Sequence, residues 1–361
     1  MSLFVVAAGG TGGHMVPAHV LAEILRGRGH AVALVTDDRG LRFPGLFEQT
    51  ASHVIPSGTP GRGGVLGWPL AFARILAGRR AARALYRRLR PAAVIGFGGY
   101  PALPAILGAI AEGVPTIIHE QNAVLGRVNR LLAAKVDHIA TSYANVRRLR
   151  PAWAMKTSLT GNPTRDEVIA LRDQPYPEVS RALRLLIVGG SQGASILSRV
   201  APAAIAALPF ALRERILVTQ QCRPEDIDSV RRSYAAANIP AHLETYIDVP
   251  ARLADTHFVI ARSGASTVAE LTCAGRPALF VPLATSTDDH QTLNTEEMVQ
   301  AGGATMISQA EFVPVAVTAA LERWLADGSV LVTAAAAARS VGRPFAGAAL
   351  ADLALSMEMH Q

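Results

Sequence analysis

The chain has 361 residues, half of them hydrophobic, and a formal charge of +7. Such a length exceeds one ordinary core, predicts two domains, and rules out a small disulfide-stapled module. The basic balance admits an acidic substrate or an anionic membrane, but there is no aromatic-interleaved basic module of the RNA-binding kind, so no nucleic-acid partner is expected.

The N-terminus lacks a basic n-region and a long apolar h-region, so it does not read as a signal peptide. The apolar run Leu3 to Ala8 predicts a strand, followed by Gly9-Gly10-Thr11-Gly12-Gly13-His14 and a helix near 16–29. Strands are expected at 31–35 and around 53–55, then an arginine-rich helical region over 66–89. From Glu48 to Glu112 no acidic residue intervenes, while Arg62, Arg74, Arg79, Arg80, Arg83, Arg87, Arg88 and Arg90 do. The stretch 91–111 is uncharged, but Pro101, Pro104 and the Gly96, Gly98, Gly99 cluster break it as a membrane span. It reads as a strand at 93–96, a loop and a short buried helix. A strand at 116–119, a helix at 124–134 and a strand at 138–141 complete an alternation that implies a parallel sheet with helices on both faces.

Gly161-Asn162-Pro163 marks a boundary, with a proline-rich loop at 173–177 beyond it. The second half repeats the plan. A strand at 185–188 runs into Gly189-Gly190-Ser191-Gln192-Gly193-Ala194 and a helix at 195–207. Strands at 215–219, 257–261 and 278–281 alternate with helices at 225–237, 267–274 and 290–301. After Gly342-Arg343-Pro344 an apolar helix over 346–357 is expected to pack back on the first domain. Cys222 and Cys273 have no metal-ligand spacing and read as buried free thiols.

In parallel α/β sheets ligands sit beyond the carboxyl ends of the strands. Both glycine loops lie there, as do His119-Glu120-Gln121-Asn122 and Arg262-Ser263-Gly264-Ala265-Ser266. Glycine permits sharp turns and close approach, and a helix start favours anionic groups. Paired loops of this kind suit a phosphorylated ligand. His14, in a first helical turn, is of the residue type whose unperturbed pKa lies near neutrality, which suits a general base. Other readings stand beside these. Gly96 to Tyr100 is an acceptor loop or plain helix–strand packing. Asn122 caps a helix or meets ligand. Glu270 closes a capping box with Thr267 or takes two ribose hydroxyls. Trp68, Phe72, Ile75, Arg79 and Arg83 fall near one helical stripe, the buried face of an ordinary helix or a patch for anionic lipid with no carboxylate nearby.

Gly-Gly-Thr-Gly-Gly-His at 9–14, Gly-Gly-Tyr at 98–100, His-Glu-Gln-Asn at 119–122, Gly-Asn-Pro at 161–163, Gly-Gly-Ser-Gln-Gly-Ala at 189–194 and Arg-Ser-Gly-Ala at 262–265 occur in that order. Together they resemble the MurG family of peptidoglycan N-acetylglucosaminyltransferases over essentially the whole chain. The resemblance implies a GT-B fold of class α/β, two Rossmann-like domains with parallel sheets facing across a deep cleft. The domains would be 1–162, with the terminal helix at about 343–361 packed back on it, and 163–342. It implies inverting transfer of N-acetylglucosamine from UDP-GlcNAc to the C4 hydroxyl of the muramoyl sugar of lipid I, giving a β-1,4 link. The enzyme would be peripheral, at the cytoplasmic face of the bacterial inner membrane, with UDP-GlcNAc, lipid I, the anionic membrane surface and a cell-wall synthesis complex as partners.

Carried over by residue, donor contacts would be Thr11, Gly12, Gly13, Asn122, Arg165, Ser191, Ile247, Ala265, Ser266, Thr267, Val268, Ala269, Glu270 and Gln291. Gly98, Gly99 and Tyr100 would face the acceptor. The segment 283–294 departs from the family's best-known member, and Gln291 is anchored there by Asp289 and His290. His14 is the first candidate base, with Glu120 and His119 in reserve. Asp37-Asp38 and Asp288-Asp289 are adjacent pairs rather than Asp-x-Asp, so no cofactor and no obligatory metal is expected; helix ends and Arg165 or Arg262 would meet the leaving diphosphate instead. The rival readings are a UDP-GlcNAc 2-epimerase on the same scaffold, a dinucleotide oxidoreductase, which the absent Gly-x-Gly-x-x-Gly spacing opposes, and a non-enzymatic membrane scaffold.

Overall fold

Aliphatic runs too short for helices make up the strands of the N-terminal half. In a computed structural model describing residues 1–40, 45–58, 68–180, 182–190 and 193–358, the chain divides into two units, 1–164 with 344–361, and 165–343. The first unit holds β1 (Leu3–Ala7), β2 (Ala31–Thr36), β3 (Ala51–Val54), β4 (Ala93–Gly96), β5 (Thr116–Glu120), β6 (His138–Thr141) and β7 (Thr157–Leu159). All pair in parallel, in the order β3-β2-β1-β4-β5-β6-β7. Phe4, Val5, Val6 and Ala7 are all fully buried, as a central strand covered on both faces requires. The strand order reverses direction at β1 and β4, so the loops after those two strands open at a switch point.

Four helices follow: α1 (Gly12–Gly27), α2 (Trp68–Leu89), α3 (Gly99–Ala111) and α4 (Arg127–Leu132). The helix expected from residue 16 starts at Gly12, inside the glycine loop, with Thr11 at its N-cap and no side chain bonded to the cap. Its buried residues Met15, Ala18, Leu21, Ala22 and Leu25 recur every three to four positions against the sheet. The prolines do not break α3: Pro101 lies in its first turn, where no N–H is needed, and Pro104 is buried within it. The helix expected at 124–134 shrinks to α4, because Val124 instead pairs with Arg147.

The second unit contains α5 (Asp166–Ile169), α6 (Ser195–Ala206), α7 (Phe210–Arg213), α8 (Ile227–Ala236), α9 (Val249–Leu253), α10 (Ala265–Ala274), α11 (His290–Asn294), α12 (Glu296–Gln300), α13 (Pro314–Leu325) and α14 (Gly328–Val341). Its sheet comprises β8 (Leu183–Val188), β9 (Ile216–Gln221), β10 (Ala241–Glu244), β11 (Phe258–Ala261), β12 (Ala278–Phe280) and β13 (Ala304–Met306). The parallel order is β10-β9-β8-β11-β12-β13. Along β8, Leu183, Leu185 and Ile187 enter one core while Leu186 and Val188 enter the other, the period of two dividing one strand between two covered faces. The single helix expected at 290–301 is two, α11 and α12, with Thr295 between them.

The chain then returns to the first unit as α15 (Ala346–Ser356). Leu350, Ala351 and Ala354 are fully buried with the α1 core, and burying one leucine contributes about 2 kcal/mol. Arg28 pairs with Asp352 at 2.5 Å. Pro163 also lies near, since a Cβ at Gly347 would stand 3.9 Å from it.

Candidate active site

The nominated residues form two clusters, one in each unit, each at its own switch point. In the first unit, Gly98 (φ +82°) and Gly99 (φ +70°) turn the chain from β4 into α3. A Cβ on Gly99 would lie 3.3 Å from the Gly9 carbonyl oxygen and 3.3 Å from Cδ2 of His14. Three motifs far apart in sequence therefore meet: Gly9 to His14, Gly98 to Tyr100, and His119 to Asn122. Gly99 and Tyr100 belong to the first turn of α3. Thr11 and Gly13 are exposed, and Gly12, His14, Tyr100 and Asn122 are partly so.

His14 Nδ1 lies 3.1 Å from Gln121 Oε1. The reserve bases stand differently. His119 is fully buried, its Nε2 is 2.8 Å from the Gly161 carbonyl and its Nδ1 is 3.0 Å from Gln121 Nε2. Burial pushes its pKa down to about 4, the Gly161 bond opposing and His14 adding to the fall. A walled-in ring with both nitrogens engaged cannot reach a substrate hydroxyl. Glu120 is also buried, and its carboxylate accepts from the Asn122 N–H, Asn122 Nδ2, the Gly126 N–H and Asn129 Nδ2. It braces the loop before α4. Both reserve candidates are thus withdrawn as bases.

In the second unit the loop after β8 and the start of α10 flank the β8/β11 switch point. Ser191 and Gln192 lie outside the described residues. A Cβ on Gly189 would stand 2.3 Å from the Ala194 nitrogen, so the turn tolerates only glycine there; its N–H donates to Gln221 Oε1 at 3.0 Å. α10 begins at Ala265 with Gly264 at its N-cap and no side-chain cap. The hydroxyls of Ser263 and Ser266 are buried with no protein partner. Uncapped N–H groups and two hydroxyls at one helix start make an anion-binding arrangement. Thr267, Val268 and Ala269 continue the helix, and the capping box is corrected: Glu270 lies beyond the first turn, and its Oε1 accepts from Arg165 Nη2 at 2.7 Å and Nε at 3.2 Å. Burial raises the Glu270 pKa, and Arg165 opposes that rise.

Two further assignments change. Arg262 donates to the carbonyls of Val281 and Pro282 and to Gln309, so it secures the turn after β12 and is not held ready for a diphosphate. Ile247 is buried in a core cluster, leaving only its backbone for a ligand. Gln291 Oε1 accepts from the Leu283 N–H at 3.0 Å, tying down the segment 283–290. One Asp-x-Asp does exist, Asp226-Ile227-Asp228, but Asp228 pairs with Arg231 at 2.5 Å, and among the described residues no group of three His, Cys, Asp or Glu could hold a metal. Cys222 and Cys273 are buried free thiols.

On α2, residues 66 and 67 of the expected helix, like Arg62, lie outside the described residues. Ile75 is buried with Ala71, Gly78 and Ala82, so it does not belong to the surface stripe. The exposed apolar residues are Trp68, Leu70 and Phe72, each about three-fifths exposed, with Leu76. A carboxylate does lie nearby: Glu112 accepts from Arg83 at 2.6 Å and Arg87 at 2.7 Å, and those bonds lower its pKa. Arg79 is half-buried with an unpartnered Nε, while Arg74, Arg80 and Arg88 are exposed on the same helix. Among the described residues no helix is long and apolar enough to cross a membrane.

Sequence reasoning gave no role to Gln121, Asn129 or Gly161, though each contacts the His119–Glu120 pair. Gln121 and Gly161 were visible inside their motifs, Gly161 as a boundary marker; Asn129 carried no local signal.

Models of the glycosyltransferase family 28 N-terminal and C-terminal domains match residues 4–141 and 184–350. A UDP-N-acetylglucosamine–N-acetylmuramyl-(pentapeptide) pyrophosphoryl-undecaprenol N-acetylglucosamine transferase of Zymomonas mobilis is 54% identical over 353 residues, 97% of this chain and 91% of that one. The protein of that name from Erythrobacter litoralis is 52% identical over 97% of this chain and 88% of its own. MurG of Acinetobacter baumannii matches with a TM-score of 0.80 at 28% identity, over 99% of this chain and 100% of that one. A Staphylococcus aureus MnaA–UDP structure has a TM-score of 0.66 at 13% identity, over 96% and 94% of the two chains, a likeness of fold alone. With two Rossmann-like sheets, a glycine loop at each switch point and these relatives along its length, the chain has the GT-B fold and belongs to glycosyltransferase family 28, among the MurG-type N-acetylglucosaminyltransferases.

Proposed function

We infer that this chain is a hexosyltransferase that moves N-acetylglucosamine from UDP-GlcNAc to lipid I, forming lipid II and UDP in peptidoglycan synthesis. The observation that carries this is identity above one half, over 97% of the chain, to relatives named for that transfer. In this reading His14 takes the proton of the muramoyl C4 hydroxyl as its oxygen attacks the anomeric carbon from the face opposite UDP. The new C–O bond forms as the bond to the diphosphate breaks, its electron pair leaving with UDP, and the β-1,4 link results from inversion. A positioned base is worth about 10²–10⁴-fold. Backbone N–H groups at the start of α10, with Ser263 and Ser266, receive the charge that grows on the diphosphate. Thr11, Gly12, Gly13, Asn122, Arg165, Ser191, the Ile247 backbone, Ala265 to Glu270 and Gln291 are the proposed donor contacts; Gly98, Gly99 and Tyr100 are the proposed acceptor loop.

The protein is further proposed to work as a peripheral enzyme on the cytoplasmic face of the inner membrane, within cell-wall synthesis that serves cell shape and division. The exposed Trp68, Leu70, Phe72 and Leu76, with exposed Arg74 and Arg80 on the same helix, support this reading. The test is incubation with radiolabelled UDP-GlcNAc and a lipid I analogue. Labelled lipid and stoichiometric UDP are expected. Epimerised nucleotide sugar, or an unlabelled lipid fraction, would overturn the assignment.

A further inference from the structure

We propose that His119 and Gln121 are positioning residues that set the tautomer of His14, placing its hydrogen on Nδ1 and its basic lone pair on Nε2. The proposal rests on the reading of His14 as base and adds what makes it one. The polarity of the bonds follows from two backbone carbonyls, which can only accept. His119 Nε2 faces the Gly161 oxygen at 2.8 Å, so Nε2 carries the hydrogen of that ring. In the neutral ring Nδ1 is then an acceptor. Gln121 must present its amide nitrogen there, at 3.0 Å, and the same nitrogen reaches the His119 carbonyl at 3.2 Å. Both amide hydrogens are thereby committed, and the amide cannot turn over without setting its oxygen against two acceptors. Its Oε1 therefore faces His14 Nδ1, at 3.1 Å, and that nitrogen must donate.

The anchor of this chain is firm. Gly161 (φ +91°) donates its own N–H to the Thr141 carbonyl at 3.0 Å, and its oxygen also accepts from Thr160 Oγ1 at 3.2 Å. His119 and Gln121 are fully buried, and the Phe97 ring lies 5.3 Å from that of His119, so bulk water does not substitute for a lost link. With Nδ1 donating to Gln121, Nε2 is left as the basic nitrogen of a ring that lies against the nominated acceptor loop, Nε2 3.5 Å from where a Cβ on Gly99 would stand and Nδ1 3.7 Å from one on Gly98. When Nε2 takes a proton the ring becomes cationic, and its Nδ1–H bond to Gln121 strengthens as a charge-assisted one. An interaction that strengthens toward the transition state raises turnover rather than ground-state binding.

The test uses the full chain with ¹⁵N-labelled histidine imidazoles and two-bond ¹H–¹⁵N correlation spectra, the His14 signals being assigned by their loss in His14→Gln. The expected result is an Nδ1–H tautomer for His14 and an Nε2–H tautomer for His119. Gln121→Met should erase the His14 signature and lower kcat/KM about tenfold, the worth of one oriented hydrogen bond, with KM for UDP-GlcNAc within twofold. Gln121→Glu should restore both while it is a neutral carboxylic acid, its O–H donating to His119 Nδ1 and its other oxygen accepting from His14. An Nε2–H tautomer at His14 in the unaltered protein, or Gln121→Met with kcat/KM within twofold, overturns the proposal even if Gln121→Glu fails to fold. His14→Ala with near-normal turnover would instead remove the base reading itself, a result the spectra do not depend on.

Discussion

Arg165 and Glu270 are 105 residues apart in sequence yet form an ion pair whose side chains are 30% and 9% exposed. Arg165→Met leaves the Glu270 carboxylate enclosed without its cation. Unit charges about 4 Å apart attract by about 4 kcal/mol at an effective dielectric of about 20, and removing one partner of a buried pair costs about 3–5 kcal/mol. Solvent reaches the arginine, so the lower end applies, and a loss of about 3 kcal/mol at pH 8 is expected. The assay is urea unfolding of a Trp68→Phe/Trp153→Phe protein, in which Trp324 reports on the second unit alone. Adding Glu270→Gln to Arg165→Met should recover the loss to within about 1 kcal/mol, because no buried charge then remains. Burial raises the Glu270 pKa even with Arg165 present. Its contribution is therefore full at low pH and is lost as pH rises through the folded value. Without Arg165 the value climbs further, so the deficit of Arg165→Met should shrink as pH falls. An Arg165→Met cost below about 1 kcal/mol, or a double variant no more stable than the single, would refute this reasoning.

Gly99→Ala should lose about 1–2 kcal/mol to its positive φ and cut turnover at least tenfold, since the new Cβ would press on the His14 ring at 3.3 Å. Gly113→Ala, at φ +69° with nothing within 4 Å, should show the same shift in thermal melts with turnover unchanged; equal turnover in both would disprove the contact. Replacing Trp68, Leu70 and Phe72 together by serine should lower partition onto anionic vesicles about tenfold or more in sedimentation, and unchanged partition would clear α2 of that role. A thiol reagent should find neither Cys222 nor Cys273 in the native protein and both in urea; rapid native labelling would contradict their burial.

The repeated plan was legible because it is local. Aliphatic runs such as Leu185 to Val188 state a covered strand, and four glycines between Gly9 and Gly13 state a close turn before a helix. Edge strands β7, β10 and β13 escaped notice, being three or four residues long with half their environment solvent or loop. The phase of α2 was misjudged at Ile75 because arginine stems and apolar side chains both fit a helical stripe, and only packing on α3 selects the buried face.

By itself the sequence determined two α/β halves, the glycine turns that end their first strands, and the family to which those motifs belong. Tertiary structure alone decided the strand order that sets Gly99 against His14, the pairing of Glu112 with Arg83 and of Glu270 with Arg165, and the chain of bonds from Gly161 to His14. Backbone preferences act over a few neighbours, so they are written in the order of residues. Which carbonyl faces which ring is settled only when distant strands find their register and burial obliges every polar group to take a partner.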